Sequence, residues 1–123
     1  MIQIQTKLMI HDNSGIKIGK CIKIYKKRFG KIGDTILISV KKLRVNKKKK
    51  IKIVKGDLFK ALIIQTKYQK ISTIGNLIKF DKNGIIILNN QNKPLGTRIF
   101  GPITSEFRKQ KHFKILSLSS NIL

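Results

Sequence analysis

Apolar residues in this chain recur at every second position, in short runs broken by turn signals. Ile2 and Ile4 alternate with Gln3 and Gln5, Ile16 and Ile18 lead to Ile22 and Ile24 with lysines between, and Ile36, Ile38 and Val40 repeat the pattern. A period of two is that of a pleated strand with one buried face, and the β-branched residues filling the runs favour strands over helices. Between the runs stand Asp12-Asn13-Ser14-Gly15, Gly33-Asp34, Gly56-Asp57 and Asn83-Gly84. Short Asp and Asn side chains bond nearby backbone and Gly takes positive φ, so each cluster predicts a turn. Asn83-Gly84 predicts a two-residue hairpin between Leu77–Phe80 and Ile85–Leu88. The run LFKALIIQT, from Leu58 to Thr66, has few charges and predicts a central strand buried on both faces. The fold class expected is mainly β, a small barrel of short strands.

Helical signals are confined to the end. Thr104 or Ser105 suits an N-cap, with Glu106 in the first turn and Arg108, Lys109 and Lys111 toward the other end. Phe107 and Phe113 would pack this segment on the barrel, and the terminal LSLSSNIL is expected to dock weakly or fray. At 123 residues the chain is expected to form one domain. Its barrel would span about 1–103 and its short helical segment about 104–123.

Charge decides the partner class. With 28 basic and 5 acidic residues the net charge is +23, and a body this small repels itself without a polyanion. A membrane binder would carry a basic amphipathic helix or a long apolar run, and neither stands out. Nucleic acid is the partner expected. Cys21, the lone cysteine, reads as a buried structural thiol in a reducing interior. Core-like alternation starts straight after Met1, which is read as leaving no room for a leader. The bias toward Ile, Lys and Asn, residues with A/T-rich codons, points to an organellar gene or an A/T-rich bacterium. It also means that some lysines are solvated filler.

The acids argue against an enzyme. Asp12, Asp34, Asp57 and Asp81 sit at turn signals, where short carboxylates bond backbone amides. Glu106 opens the expected helix. No carboxylate pair is left for acid/base work or magnesium. His11 and His112 are far apart, so zinc spacing is missing, and no GxxxxGK[ST] loop occurs. No cofactor and no metal are expected. The basic residues form three groups, around Lys23 to Lys31 with Tyr25 and Phe29 interleaved, around Lys41 to Lys55, and from Arg98 to Lys114. Lysines act as point charges on phosphates, whereas arginines clamp a phosphate or stack on a base. The RNA-binding candidates are Lys23, Arg28, Lys41, Arg44, Lys48, Lys49, Arg98, Arg108 and Lys111.

One stretch stands apart. In LNNQNKPLGTRIFGPIT, from Leu88 to Thr104, Pro94 and Pro102 stiffen the backbone around Thr97-Arg98-Ile99-Phe100. Gly96 and Gly101 remove side chains where another surface can approach. The segment is either a docking surface or an ordinary loop leading into a strand.

These motifs together resemble a known family. MIQIQTKL followed by DNSG at Asp12 to Gly15, CIKI at Cys21 to Ile24, GD at Gly33-Asp34 and KGD at Lys55 to Asp57 are similar to the universal large-subunit ribosomal protein fourteen family. ALIIQTK at Ala61 to Lys67, IKFDKNGIIILNN at Ile78 to Asn90, GTRIFGPIT at Gly96 to Thr104 and KILSL at Lys114 to Leu118 extend the resemblance over nearly the whole chain. It implies a five-stranded β-barrel with a protruding hairpin and short C-terminal helices. It also implies large-subunit rRNA as partner, a bridge to small-subunit rRNA, and proteins three and nineteen of the large subunit as neighbours. A ribosome-silencing factor docks on the family's C-terminal surface, which corresponds here to Thr97, Arg98 and Lys114, with Phe100 beside them. The function expected is a structural constituent of the large ribosomal subunit, not an enzyme, in a mitochondrion that encodes it, with plastid or A/T-rich bacterium as alternatives. The rival reading is a general single-stranded nucleic-acid-binding or compacting protein, as small barrels with exposed aromatics can be.

Overall fold

The computed structural model describes residues 2–25, 28–44, 53–67, 70–71, 77–104, 107 and 113–122. The strands are β1 (Lys7–Ile10), β2 (Ile16–Ile24), β3 (Thr35–Leu43), β4 (Leu58–Gln65), β5 (Lys70–Ile71), β6 (Leu77–Ile78), β7 (Gly84–Leu88) and β8 (Ile99–Ile103). A helix, α1 (Phe113–Leu118), and a last strand, β9 (Ser119–Ile122), follow. The five strands β1-β2-β3-β4-β7 close a barrel in that order. Its seam is the parallel pairing of β1 with β7, and the other pairings are antiparallel. No described helix is long and apolar enough to cross a membrane.

The apolar run at Leu58–Thr66 does become a strand, β4, buried on both faces from Ala61 to Gln65. Ala61 and Ile63 point into the barrel core with Ile85 and Ile87 of β7, alongside Leu8, Ile10, Ile36 and Ile38. Leu62 and Ile64 point outward and join Ile86 and Leu88 in a second core. Ile99, Ile103, Phe107, Ile115 and Leu116 cover that outer face. The C-terminal segment is thus the lid of a second apolar layer. Its position follows from β4 and β7 having no polar face to give to water.

The turns at Gly15, Gly33 and Gly56 behave as expected. Gly15, Gly33 and Gly56 have φ of 95°, 93° and 91°. Asp34 Oδ2 accepts the Lys31 amide at 2.8 Å, and Asp57 Oδ2 accepts the Val54 amide at 2.9 Å. Cys21 is buried, and burial pushes its thiol above the ordinary value.

Four expectations are corrected. Asn83-Gly84 is not a hairpin turn. Gly84 begins β7 opposite Met9 and Gln65, outside the positive-φ glycines, while Leu77–Ile78 pairs with Lys70–Ile71 instead. Lys70–Ile71, between β4 and β6, is thus one strand of a two-stranded ribbon. Ile4 does not share a buried face with Ile2: it is 58% exposed, because the chain turns at Ile4-Gln5 with φ of 76° at Gln5. Ile22 falls out of phase with Ile16 and Ile24. Register shifts between Ile18 and Gly19 and between Cys21 and Lys23 reset the alternation, leaving Cys21 and Ile24 inside and Ile22 exposed. The terminal tail does not fray. Ser119–Ile122 pairs in parallel with β8, from Ile99↔Ser119 to Ile103↔Ile122. The helix expected from Thr104 to Lys111 falls mostly, and the lysine run from Lys47 to Lys50 wholly, outside the described residues.

Candidate nucleic-acid interface

The stiffened stretch is bolted to the turn between β1 and β2. Asp12 is 2% exposed, and its Oδ1 accepts the Ser14 amide at 3.0 Å and the Ser14 hydroxyl at 2.5 Å. Its Oδ2 reaches the neighbouring strand β7 to accept the Ile87 amide at 3.0 Å. With Asp12 held so, Asn13 faces the stretch. Asn13 Oδ1 accepts the Thr97 amide at 2.8 Å and the Arg98 amide at 3.3 Å, and Asn13 Nδ2 donates to the Thr97 hydroxyl at 2.8 Å. Asp12 and Ile99 form an antiparallel bridge, the Phe100 amide donates to the His11 carbonyl at 2.6 Å, and Gln65 Nε2 donates to the Pro102 carbonyl at 2.8 Å. A Cβ on Gly96 would lie 2.7 Å from Asn13 Oδ1, so this glycine admits the chain's own turn. Gly101 serves by its φ of 84°.

On this backing, Phe100 stands 37% exposed with two guanidinia beside its ring, one from Arg44 just past β3 and one from Arg98 just before β8. The Arg44 Cζ is 5.6 Å and the Arg98 Cζ 5.7 Å from the ring centroid. Arg44 is itself tethered: its Nη2 donates to the Ile10 carbonyl at 3.0 Å and its amide to the Gly15 carbonyl at 2.9 Å. Two cations and one π face thus share a rigid base, able to stack on a planar group and to hold an anion. Sequence reasoning assigned Arg44 and Phe100 to separate functions; the structure brings them together. Only the register of β3 against β2, which places Arg44 beside the Gly15 turn, would have revealed it.

Beneath the cluster lies His11. Burial lowers its imidazole below the ordinary value, and the charges of Lys82 and Arg44 lower it further. Asp12 and a hydrogen bond with the Phe100 backbone act in the opposite sense. Among the described residues His11 Nε2 has no hydrogen-bond partner, and the ring fills the space between Gly84 of β7 and Gly101 of the stretch.

The other expected residues scatter. Lys23 lies near the end of β2 with its Nζ 5.3 Å from the Tyr25 ring centroid, and Arg28 is exposed in the loop beyond. Lys41 is exposed on β3, lining a shallow groove with Lys20, Ile4 and Ile22. Lys114 is exposed on α1, which runs directly into the strand paired with β8. Lys48, Lys49, Arg108 and Lys111 lie outside the described residues. Among the described residues no group of three or more His, Cys, Asp or Glu is placed to hold a metal ion.

The family described as Ribosomal protein L14p/L23e matches residues 1–123 of this sequence.

Proposed function

The chain belongs to the ribosomal protein L14p/L23e family, whose members are structural proteins of the large ribosomal subunit, and from that premise we propose that it binds large-subunit rRNA and helps to bridge the two subunits, without turnover. Its barrel fits into folded RNA while lysines and arginines neutralise phosphates. The Thr97–Phe100 stretch and Lys114 face outward to small-subunit rRNA or to a ribosome-silencing factor. Large-subunit proteins three and nineteen are its neighbours. The organelle that encodes it is a mitochondrion; the Ile, Lys and Asn bias supports this reading and suits a plastid or A/T-rich bacterium as well.

The observation that carries the proposal beyond the family is the Arg44–Phe100–Arg98 cluster on its pinned backing. A docking surface needs side chains whose positions are set before the partner arrives. Binding to an rRNA fragment is expected to weaken steeply with salt, with a slope of about −0.7 to −0.9 per phosphate contact. That fragment should outcompete random RNA of equal length. A flat salt response would remove the phosphate mechanism, and equal competition would favour a general single-strand binder.

Arg98→Glu separates docking from folding. The Arg98 backbone amide is the group bound by Asn13, so the substitution should leave thermal unfolding within a degree or two while impairing subunit joining about tenfold or more, as the loss of a charge-assisted contact does. Joining and factor binding at unchanged strength would take Arg98 out of the interface.

A further inference from the structure

A groove of about 480 Å³ opens on another face of the barrel, where the ends of β2, β4 and β7 meet the Asn89–Leu95 loop. Tyr25, Leu58, Phe59, Lys60, Asn89 and Asn90 are among its lining residues. We infer that this groove is a second RNA contact, a pocket for one unpaired nucleotide whose base lies against Tyr25 and Phe59 and whose phosphate is held by Lys23 and Lys60. The inference rests on the RNA-binding reading and adds to it a base-recognising site.

Four observations favour that occupant. The volume is in the range that takes a nucleotide-sized ligand. Two aromatic side chains line it, and Leu58 beside them stays 57% exposed, so a flat apolar body would gain by covering them. The rim is cationic, with Lys60 among the lining residues and the Lys23 Nζ on the Tyr25 ring at 5.3 Å, and among the described residues no carboxylate lines the groove. An occupant therefore needs a planar apolar part next to a negative charge. Finally, the loop is built to present an amide. Asn89 Oδ1 is committed to its own turn, accepting the Gln91 amide at 2.9 Å and the Lys93 amide at 3.0 Å, with φ of 62° at Asn92 closing the turn. The Nδ2 of Asn89 is left to donate to an acceptor on a base edge. Bases that are unstacked and splayed from single strands are recognised by this combination of ring, amide and cation.

The chain has two tyrosines, Tyr25 and Tyr68, and no tryptophan, so the part of the emission that Tyr25→Phe removes reads the groove. The full-length protein is titrated with a short oligouridylate and with an abasic oligomer of equal length and charge. The base-bearing oligomer is expected to bind about tenfold more tightly, the worth of one base on an aromatic ring, and to quench emission. Tyr25→Phe should keep the preference and lose the quench. Tyr25→Leu should reduce the preference to about twofold and leave abasic binding unchanged, with circular dichroism verifying the fold. Equal affinity for the two oligomers, or a quench that persists in Tyr25→Phe, overturns the nucleotide site and leaves the groove to a protein side chain. Phosphate-driven RNA binding would survive that outcome; failure of both oligomers to bind would remove the RNA reading itself.

Discussion

Gly84→Val is expected to destabilise the protein by about 3 kcal/mol or more in urea unfolding, at the upper end of what overpacking costs. Gly84 sits where β7 meets both β1 and β4, opposite Met9 and Gln65. A Cβ there would run into His11, lying 2.7 Å from its Nε2 and in harder contact with its Cδ2, and 3.2 Å from Gln65 Oε1. Neither neighbour is free to retreat. His11 is fixed by its backbone bonds to Ile85 and Phe100, and Gln65 by its bond to Pro102. The reason for the glycine is therefore crowding at the barrel seam. A glycine needed for positive φ would tolerate asparagine, whereas this one should not: Gly84→Asn should cost about as much as Gly84→Val. Gly84→Ala in a His11→Ala background should cost less than Gly84→Ala alone, a coupling of about 1 kcal/mol or more in a double-mutant cycle. Additive costs, or a harmless Gly84→Asn, would restore the turn explanation.

The same residue shows what a sequence of this kind hides. Asn83-Gly84 carries the composition of a hairpin turn, but composition does not say which strand lies across the gap. β7 pairs with β1 and β4, whose residues are distant in sequence, and the local signal cannot weigh those contacts. Legible features were those written in a single run. The two-faced burial of β4 appeared as continuous apolar character, and the turns at Gly15, Gly33 and Gly56 as glycines beside short acids or amides. Ile22 was misplaced because a bulge shifts the period without changing any residue type. Ser119–Ile122 was misread because SSNI has no strand pattern of its own; β8 makes it a strand by offering an edge. At the candidate site, stiffness around Thr97 to Phe100 was readable from two prolines. The partner that fixes the segment, Asn13, was not, since its role depends on a topology that brings the β1–β2 turn against β8. Gly96 was read as room for a visitor and is room for that turn.

Asp12→Ala should be the second severe substitution, costing about 3–5 kcal/mol, because it leaves up to three donors without their acceptor at about 1–3 kcal/mol each. The donors are the Ser14 amide, the Ser14 hydroxyl and the Ile87 amide, and the site is 2% exposed. Water reaches the Ser14 groups more readily once the turn opens. The Ile87 amide lies in a strand paired on both sides and is the one most penalised. Asp12→Asn keeps one carbonyl oxygen but turns an NH₂ toward a donor, so an intermediate loss is expected. The consequence for the interface is distinct from the loss of stability, and Asn13→Ala isolates it. Asn13 is exposed and its bonds go only to the Thr97–Arg98 segment, so its removal should cost no more than about 1 kcal/mol globally. Amide exchange at Thr97 and Arg98 should nevertheless accelerate by tenfold or more, while exchange at Ile87 stays slow. Asp12→Ala should accelerate all of them. If Asn13→Ala left the Thr97 and Arg98 amides protected, the stretch would be held by its prolines and by β8 alone. The β1–β2 turn would then have no part in presenting the arginine.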